Sequence, residues 1–151
     1  MSLQWWDDER HRFEWLAVGG DWPDDDEALR LAARMADEGA WYHGMRVLID
    51  LRQADPVGAP SFPSFMERVP DWFRVAGAPE RMAVLCGPGL GYAIGRSVSM
   101  LAESKGTDTA TFLDVDAAIG WLTAPRDGGL GPGVTDVRVA APAVPRRRAR
   151  P

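Results

Sequence analysis

Apolar residues follow two periods along this chain. Val47-Leu48-Ile49-Asp50-Leu51 is a nearly continuous aliphatic run, bounded by Gly44 before it and Gln53-Ala54-Asp55-Pro56 after it. A short run without polar alternation is the pattern of a parallel strand buried on both faces. Met82-Ala83-Val84-Leu85, between Arg81 and Cys86, repeats it, and Thr109 to Leu113 reads as the last strand. Near the amino end, Phe13, Trp15 and Ala17 alternate with Arg12, Glu14 and Leu16. That period of two predicts a strand with one covered face. Its partner is predicted over Leu3 to Trp6, across the polar turn Asp7-Asp8-Glu9.

Between these segments the spacing changes to three and four. After Gly19-Gly20, the run Asp21-Trp22-Pro23-Asp24-Asp25-Asp26-Glu27 supplies an aspartate cap, a proline in the first turn and a stack of carboxylates at the positive end of a helix dipole. Leu29, Ala32, Ala33, Met35 and Ala36 then give a narrow apolar stripe as far as Gly39. Helix electrostatics accounts for the acidic cluster better than metal binding does. Phe65, Met66, Val69, Trp72 and Phe73 predict a second helix, broken or kinked at Pro70. Gly87-Pro88-Gly89-Leu90-Gly91 leads into a third, carrying Tyr92, Ile94, Val98, Met100 and Leu101. Asp114 or Asp116 caps a fourth, with Ala117, Ala118, Trp121 and Leu122 inward.

Two strands, three helix–strand units and a final helix make an α/β fold. The expectation is a mixed, mostly parallel sheet of about five strands, flanked by four helices and wound by right-handed crossovers. Beyond Ala124 the chain turns to Pro, Gly and Arg, a composition that buries too little apolar surface to offset chain entropy. A domain over residues 1–123 and a disordered tail over 124–151 are expected.

Charge sharpens this division. The net charge of the 151 residues is −5, but residues 1–123 carry 20 acidic and 11 basic side chains, a net of −9, and residues 124–151 carry 2 and 6, a net of +4. An acidic body argues against a nucleic-acid face on the folded part. The tail's Arg146-Arg147-Arg148-Ala149-Arg150 is expected to be solvated, to touch phosphates, or to fold back on the acidic body. No apolar run reaches the roughly 18 residues of a membrane span, and the opening Met1-Ser2-Leu3-Gln4 lacks the basic start of a signal peptide. A cytoplasmic protein is the expectation. One cysteine, Cys86, and two histidines, His11 and His43, leave little for disulfide, metal or triad chemistry.

Candidate chemistry is sparse. Glycines between a strand and a helix suggest a phosphate cradle, making Gly89, Gly91 and Arg96 a candidate anion-binding turn. The dinucleotide fingerprint needs glycines at offsets zero, two and five; counting from Gly87 the third position is Tyr92, and from Gly89 it is Ile94. No Gly-Lys-Ser/Thr follows for a P-loop either. A tight turn with close helix packing explains the glycines, and no cofactor is expected. Asp50 and Arg52 stand two apart on one face at a strand end, where open α/β sheets gather function; a structural ion pair is the plain reading. Ser61 and Ser64, in a loop with three prolines, suit helix capping, and a phosphoryl group there would change how that face meets a partner. Trp41, Tyr42 and His43 form an aromatic corner best explained by packing. Seven tryptophans exceed what a small core holds, so some rings are expected to be partly exposed, on a partner surface or an apolar-ligand groove.

With these segments in place, the chain resembles the STAS family, named for sulphate transporters and anti-sigma factor antagonists, and in particular its SpoIIAA-like branch. The pieces that carry the likeness are Gly20-Asp21 with the helix after it, Val47 to Arg52, Met82 to Leu85 and Gly91 to Arg96. The ending Phe-x-Asp-x-x-x-Ala-x-x-Trp-Leu, read here from Phe112 to Leu122, is the most distinctive. The resemblance implies a non-catalytic protein-interaction module, regulatory in the antagonist members, where a serine after the third strand is phosphorylated. The motif Asp-Ser-Ser-Gly of that switch is replaced here by Val57-Gly58-Ala59-Pro60-Ser61-Phe62-Pro63-Ser64, so Ser61 matches by region only. Ser61, Ser64, Phe62, Phe65 and Trp72 are the expected switch or interaction loop. The branch is also compared with lipid-binding CRAL-TRIO domains, which gives a second expectation, a small apolar ligand between helix and sheet.

Overall fold

The computed structural model describes residues 2–20, 25–55, 67 and 71–125. They form β1 (Ser2–Asp8), β2 (Phe13–Gly20), α1 (Asp25–Asp37), β3 (Arg46–Ala54), α2 (71–76), β4 (Arg81–Leu85), α3 (Leu90–Glu103), β5 (Asp108–Phe112) and α4 (Val115–Thr123). The expected caps Asp21 and Pro23, the kink at Pro70, and the tail from residue 126 lie outside the described residues.

The architecture is the expected α/β one, with one sheet in the order β1-β2-β3-β4-β5. β1 runs antiparallel to β2, and β2 to β5 are mutually parallel, which makes the Val47–Leu51 segment the middle of the central strand. The strand order equals the sequence order. Right-handed crossovers that always step the same way place every connecting helix on one face. Accordingly α1, α2 and α3 share a core with Leu16, Val18, Val47, Met82 and Val84. α4 alone crosses the other face, joining Leu48, Ala83 and Leu85 to Phe13 and Trp15.

This arrangement corrects the one-faced reading of β2. Leu16 and Val18 are buried beneath the helices while Phe13 and Trp15 are buried on the opposite side. β2 is one strand in from the sheet edge, and helices cover it on both faces. The hairpin turn also falls later than expected: β1 continues through Asp8, and the chain turns at 9–12, with Arg12 in the left-handed region at φ 61°. His11 holds the turn through its backbone N–H to Asp8 Oδ1 (3.0 Å), with Nδ1 at 3.0 Å from Asp8 Oδ2.

α3 exposes Met100 and buries Ser99, the reverse of what hydrophobicity suggests. Ser99 Oγ pairs with Thr111 Oγ1 at 2.8 Å, and Thr109 Oγ1 donates to the Ser99 carbonyl at 3.0 Å, so the hydroxyls stitch α3 to β5. α4 is capped by Asp114, whose Oδ1 accepts from Ala117 N at 2.8 Å. At its far end, buried Arg81 donates to the carbonyls of Trp121 (2.9 Å) and Ala124 (3.0 Å) while its Nε reaches Asp108 (3.0 Å). A cation on the last carbonyls of a helix satisfies orphan acceptors and complements the dipole. Among the described residues, no helix is long and apolar enough to cross a membrane.

Candidate functional site at the carboxyl end of the sheet

The parallel strands β3, β4 and β5 deliver three loops to one end, the position where open α/β sheets bind their ligands. β3 brings Asp50 and Arg52 there on the α4 face. Arg52 clasps Asp50 in a two-pronged pair, Nε to Oδ1 at 2.9 Å and Nη2 to Oδ2 at 2.8 Å, and the Arg52 backbone N–H adds a third bond to Oδ1 at 3.1 Å. Asp50 is 8 % exposed. Its hydrogen bond raises the Arg52 guanidinium above its ordinary value, against the opposing effect of burial. Both charges are committed to one another, as the plain sequence reading expected.

Cys86 leaves β4 with its thiol buried and donating to the Phe112 carbonyl at 3.6 Å. Burial first, and the Asp50 carboxylate second, push that thiol up to about 11. At pH 7 only about one molecule in ten thousand then carries the thiolate, the form that acts as nucleophile or metal ligand. The sulfur instead packs against Gly95 of α3.

The glycine turn is open. A Cβ added at Gly87, Gly89 or Gly91 would meet nothing within 4 Å, and Gly89 caps α3 at φ 66°, ψ −125° with no side-chain hydrogen bond. The first turn of α3 carries no acidic residue. Arg96 lies five residues past Gly91, about 7–8 Å along the helix, so it stands beyond the turn's mouth. Two exposed side chains flank the turn instead. Leu90 (54 % exposed) begins α3, and Leu113 (39 % exposed) follows β5, whose Phe112 carbonyl binds Cys86 N at 3.0 Å. Sequence reasoning gave neither leucine a role, because Leu90 reads as the apolar start of a helix and Leu113 as the apolar end of a strand.

The expected interaction-loop residues Ser61, Phe62, Ser64 and Phe65 lie outside the described residues. Trp72 is in α2 and buried, its ring 5.5 Å from that of Trp41, while Phe73 stacks on Trp41 at 6.4 Å. Trp41 Nε1 in turn donates to the Gly77 carbonyl at 2.8 Å, so Trp41 packs as expected, but Tyr42 and His43 are exposed and the expected aromatic corner reduces to that one ring. Gly77 is required there: at φ 92°, a Cβ would come to 2.8 Å from His43 N. Among the described residues, Trp5, Trp6 and Trp121 are the partly exposed tryptophan rings, and each is already covered on one side, by Arg34, by Trp15 and by Arg81 respectively.

At the opposite end of the sheet, where β1 turns into β2, lies a depression of about 390 Å³ lined by Asp7, Glu9, Arg12, Phe13, Glu14 and Tyr42. The sequence does not announce it, because it exists only once the hairpin register sets Asp7 opposite Glu14. Among the described residues no group of three or more His, Cys, Asp or Glu side chains is placed to hold a metal ion.

Comparison with known proteins adds no relative: no family model matches the chain, and no curated protein or solved structure matches it significantly.

Proposed function

We propose that this chain is a non-catalytic interaction module that binds another protein through the carboxyl end of its sheet, as the resemblance to STAS domains implies. One observation carries the reading. Asp50 and Arg52 are paired with each other and the Cys86 thiol is held protonated, while the exposed Leu90 and Leu113 flank an open backbone turn. Such a surface offers apolar area and the unpaired first N–H groups of a helix, which is contact chemistry. The connection bearing Ser61 and Ser64 starts from the same end, at the exit of β3, and a phosphoryl group would add about two negative charges to it.

The test uses the full chain and three variants. Leu90→Glu and Leu113→Glu change the proposed surface; Met100→Glu places the same charge on the outer face of α3 as a control. Affinity capture from the native lysate should return a partner with wild type and Met100→Glu that both leucine variants lose. Equal recovery by all four proteins would remove this surface from consideration. No observation among the described residues favours the apolar-ligand reading: the space between α1–α3 and the sheet is filled by Met35, Trp41, Val47, Met82 and Val84, all essentially inaccessible to solvent.

A further inference from the structure

We infer that the outer edge of β5 pairs with the same edge of a second copy of this chain, joining two sheets into one about a two-fold axis through Ala110. β5 is the last strand of the sheet, and among the described residues no strand pairs with its outer side. Along a strand, the backbone groups of successive residues turn to alternate sides. Asp108 N donates to the Glu80 carbonyl at 3.3 Å and Cys86 N to the Phe112 carbonyl at 3.0 Å, so Asp108, Ala110 and Phe112 face β4. The N–H and C=O groups of Thr109 and Thr111 therefore point outward. Such an edge is a template for another strand unless charge, proline or a covering element blunts it. β5 contains no proline, and its one charged residue, Asp108, is held by Arg81 at 3.0 Å. The opposite edge, β1, ends instead in Asp7-Asp8.

An antiparallel pair centred on Ala110 sets Thr109 opposite Thr111 of the second copy, and Thr111 opposite Thr109, each couple exchanging both backbone bonds. On the α4 face, Ala110 meets its own copy and Asp108 meets Phe112, so no like charges stand opposite one another.

Charge on α3 selects a second copy as the occupant. Ser99 stands level with Ala110, because its Oγ meets Thr111 Oγ1 at 2.8 Å and its carbonyl accepts from Thr109 Oγ1 at 3.0 Å. Arg96, three residues before Ser99, and Glu103, four after it, share its side of the helix, away from Ile94 and Val98 in the core. They lie about 4.5 and 6 Å from Ser99 in opposite directions along the axis. Arg96 is partly exposed and Glu103 exposed, and neither has an ion-pair partner among the described residues. The two-fold axis reverses direction along the strand, so Arg96 of each copy comes opposite Glu103 of the other. The edge is thus complementary to itself. Spacing allows the approach. Gly95 lies close to both Cys86, just past β4, and Thr111 of β5, so α3 runs between those strands, half a strand spacing inside the edge. With strands about 4.8 Å apart, the two α3 helices come to about 10 Å, an ordinary packing distance.

The experiment is sedimentation equilibrium of the full chain over a concentration series. Wild type should form a dimer. Arg96→Glu and Glu103→Arg each set like charges opposite one another twice, and each should raise the dissociation constant about tenfold. An equimolar mixture of the two variants, or the Arg96→Glu/Glu103→Arg double variant, restores opposite charges and should return the wild-type value. In wild type the Thr109 and Thr111 amides should exchange slowly with solvent above the dissociation constant and quickly on dilution below it. A wild type that stays monomeric overturns the proposal and leaves the edge to a strand of another protein. So does a dimer that neither single variant weakens, a mixture that fails to recover association, or amide exchange that is the same at every dilution. The surface is distinct from the carboxyl end of the sheet, so neither proposal depends on the other.

Discussion

Gly95 is where α3 comes close to Cys86 and Thr111 of the sheet end, and Gly95→Ala tests that contact quantitatively. In an exposed helix this substitution stabilises by about 1 kcal/mol, since alanine restricts the unfolded chain and suits the helix. Here the added Cβ would lie 2.9 Å from Cys86 Sγ, 3.2 Å from Thr111 Cγ2 and 3.3 Å from Cys86 Cβ. Favourable carbon contacts need about 3.5–4.0 Å. Neither neighbour yields freely: Sγ is tied to the Phe112 carbonyl, and Thr111 to Ser99. Overpacking of this kind costs about 1–3 kcal/mol, so the helix gain is outweighed and a net loss of about 1 kcal/mol is expected, worth about 2–4 °C in Tm at this size. Cys86→Ala removes the closest atom. In that background Gly95→Ala should become neutral or stabilising, a coupling of about 1–2 kcal/mol in a double-mutant cycle. Urea unfolding of the four proteins, followed by circular dichroism with m-values shown to be constant, measures it. A stabilising Gly95→Ala with Cys86 present, or an equal cost in both backgrounds, would refute the close approach of α3 to β4.

Other consequences follow from single contacts. Arg81→Met strands Asp108 and the last carbonyls of α4, so a loss of about 3 kcal/mol or more is expected in denaturant unfolding; a loss below 1 kcal/mol would mean that Arg81 does not anchor α4. Asp114→Ala removes the cap on Ala117 N and should cost about 1 kcal/mol, with Asp114→Asn recovering most of it; equal stability of the two variants would refute the cap. Cys86 has a folded pKa of about 11 against an ordinary 9.0. Between those values the unfolded chain has lost its proton and the folded one retains it, so this contribution is full below pH 9 and falls by up to about 1.4 kcal/mol per pH unit above it. Stability measured from pH 8 to 10.5 should therefore decline more steeply in the wild type than in Cys86→Ala; parallel curves would contradict the buried thiol.

How much of this was legible in the sequence depends on the range of the interaction involved. The run Val47–Leu51 announced its strand because burial on both faces leaves no polar alternation, and β3 is the sheet's centre. The cap at Asp114 and the pair Asp50–Arg52 were legible because their partners are two or three residues away. Ile49, by contrast, is only half-buried despite its place in that run, and Leu31 joins the core although the predicted helical stripe omitted it. At the candidate site, Cys86 and the glycine turn were identified, but the exposure of Leu90 and Leu113 was not, since an apolar residue at the end of a helix or strand looks the same whether covered or bare.

What the sequence by itself determined, then, is the succession of strands and helices and which residues of each share a face, because both follow from local periodicity. Tertiary structure alone decided which faces are covered. Three helices fall on one side of the sheet and one on the other, so β2 buries both its rows. Thr109 and Thr111 draw Ser99 inward and leave Met100 outside. The hairpin register faces Asp7 with Glu14. Each outcome depends on atoms brought together from distant parts of the chain, and periodicity carries no information about where a remote element will come to rest.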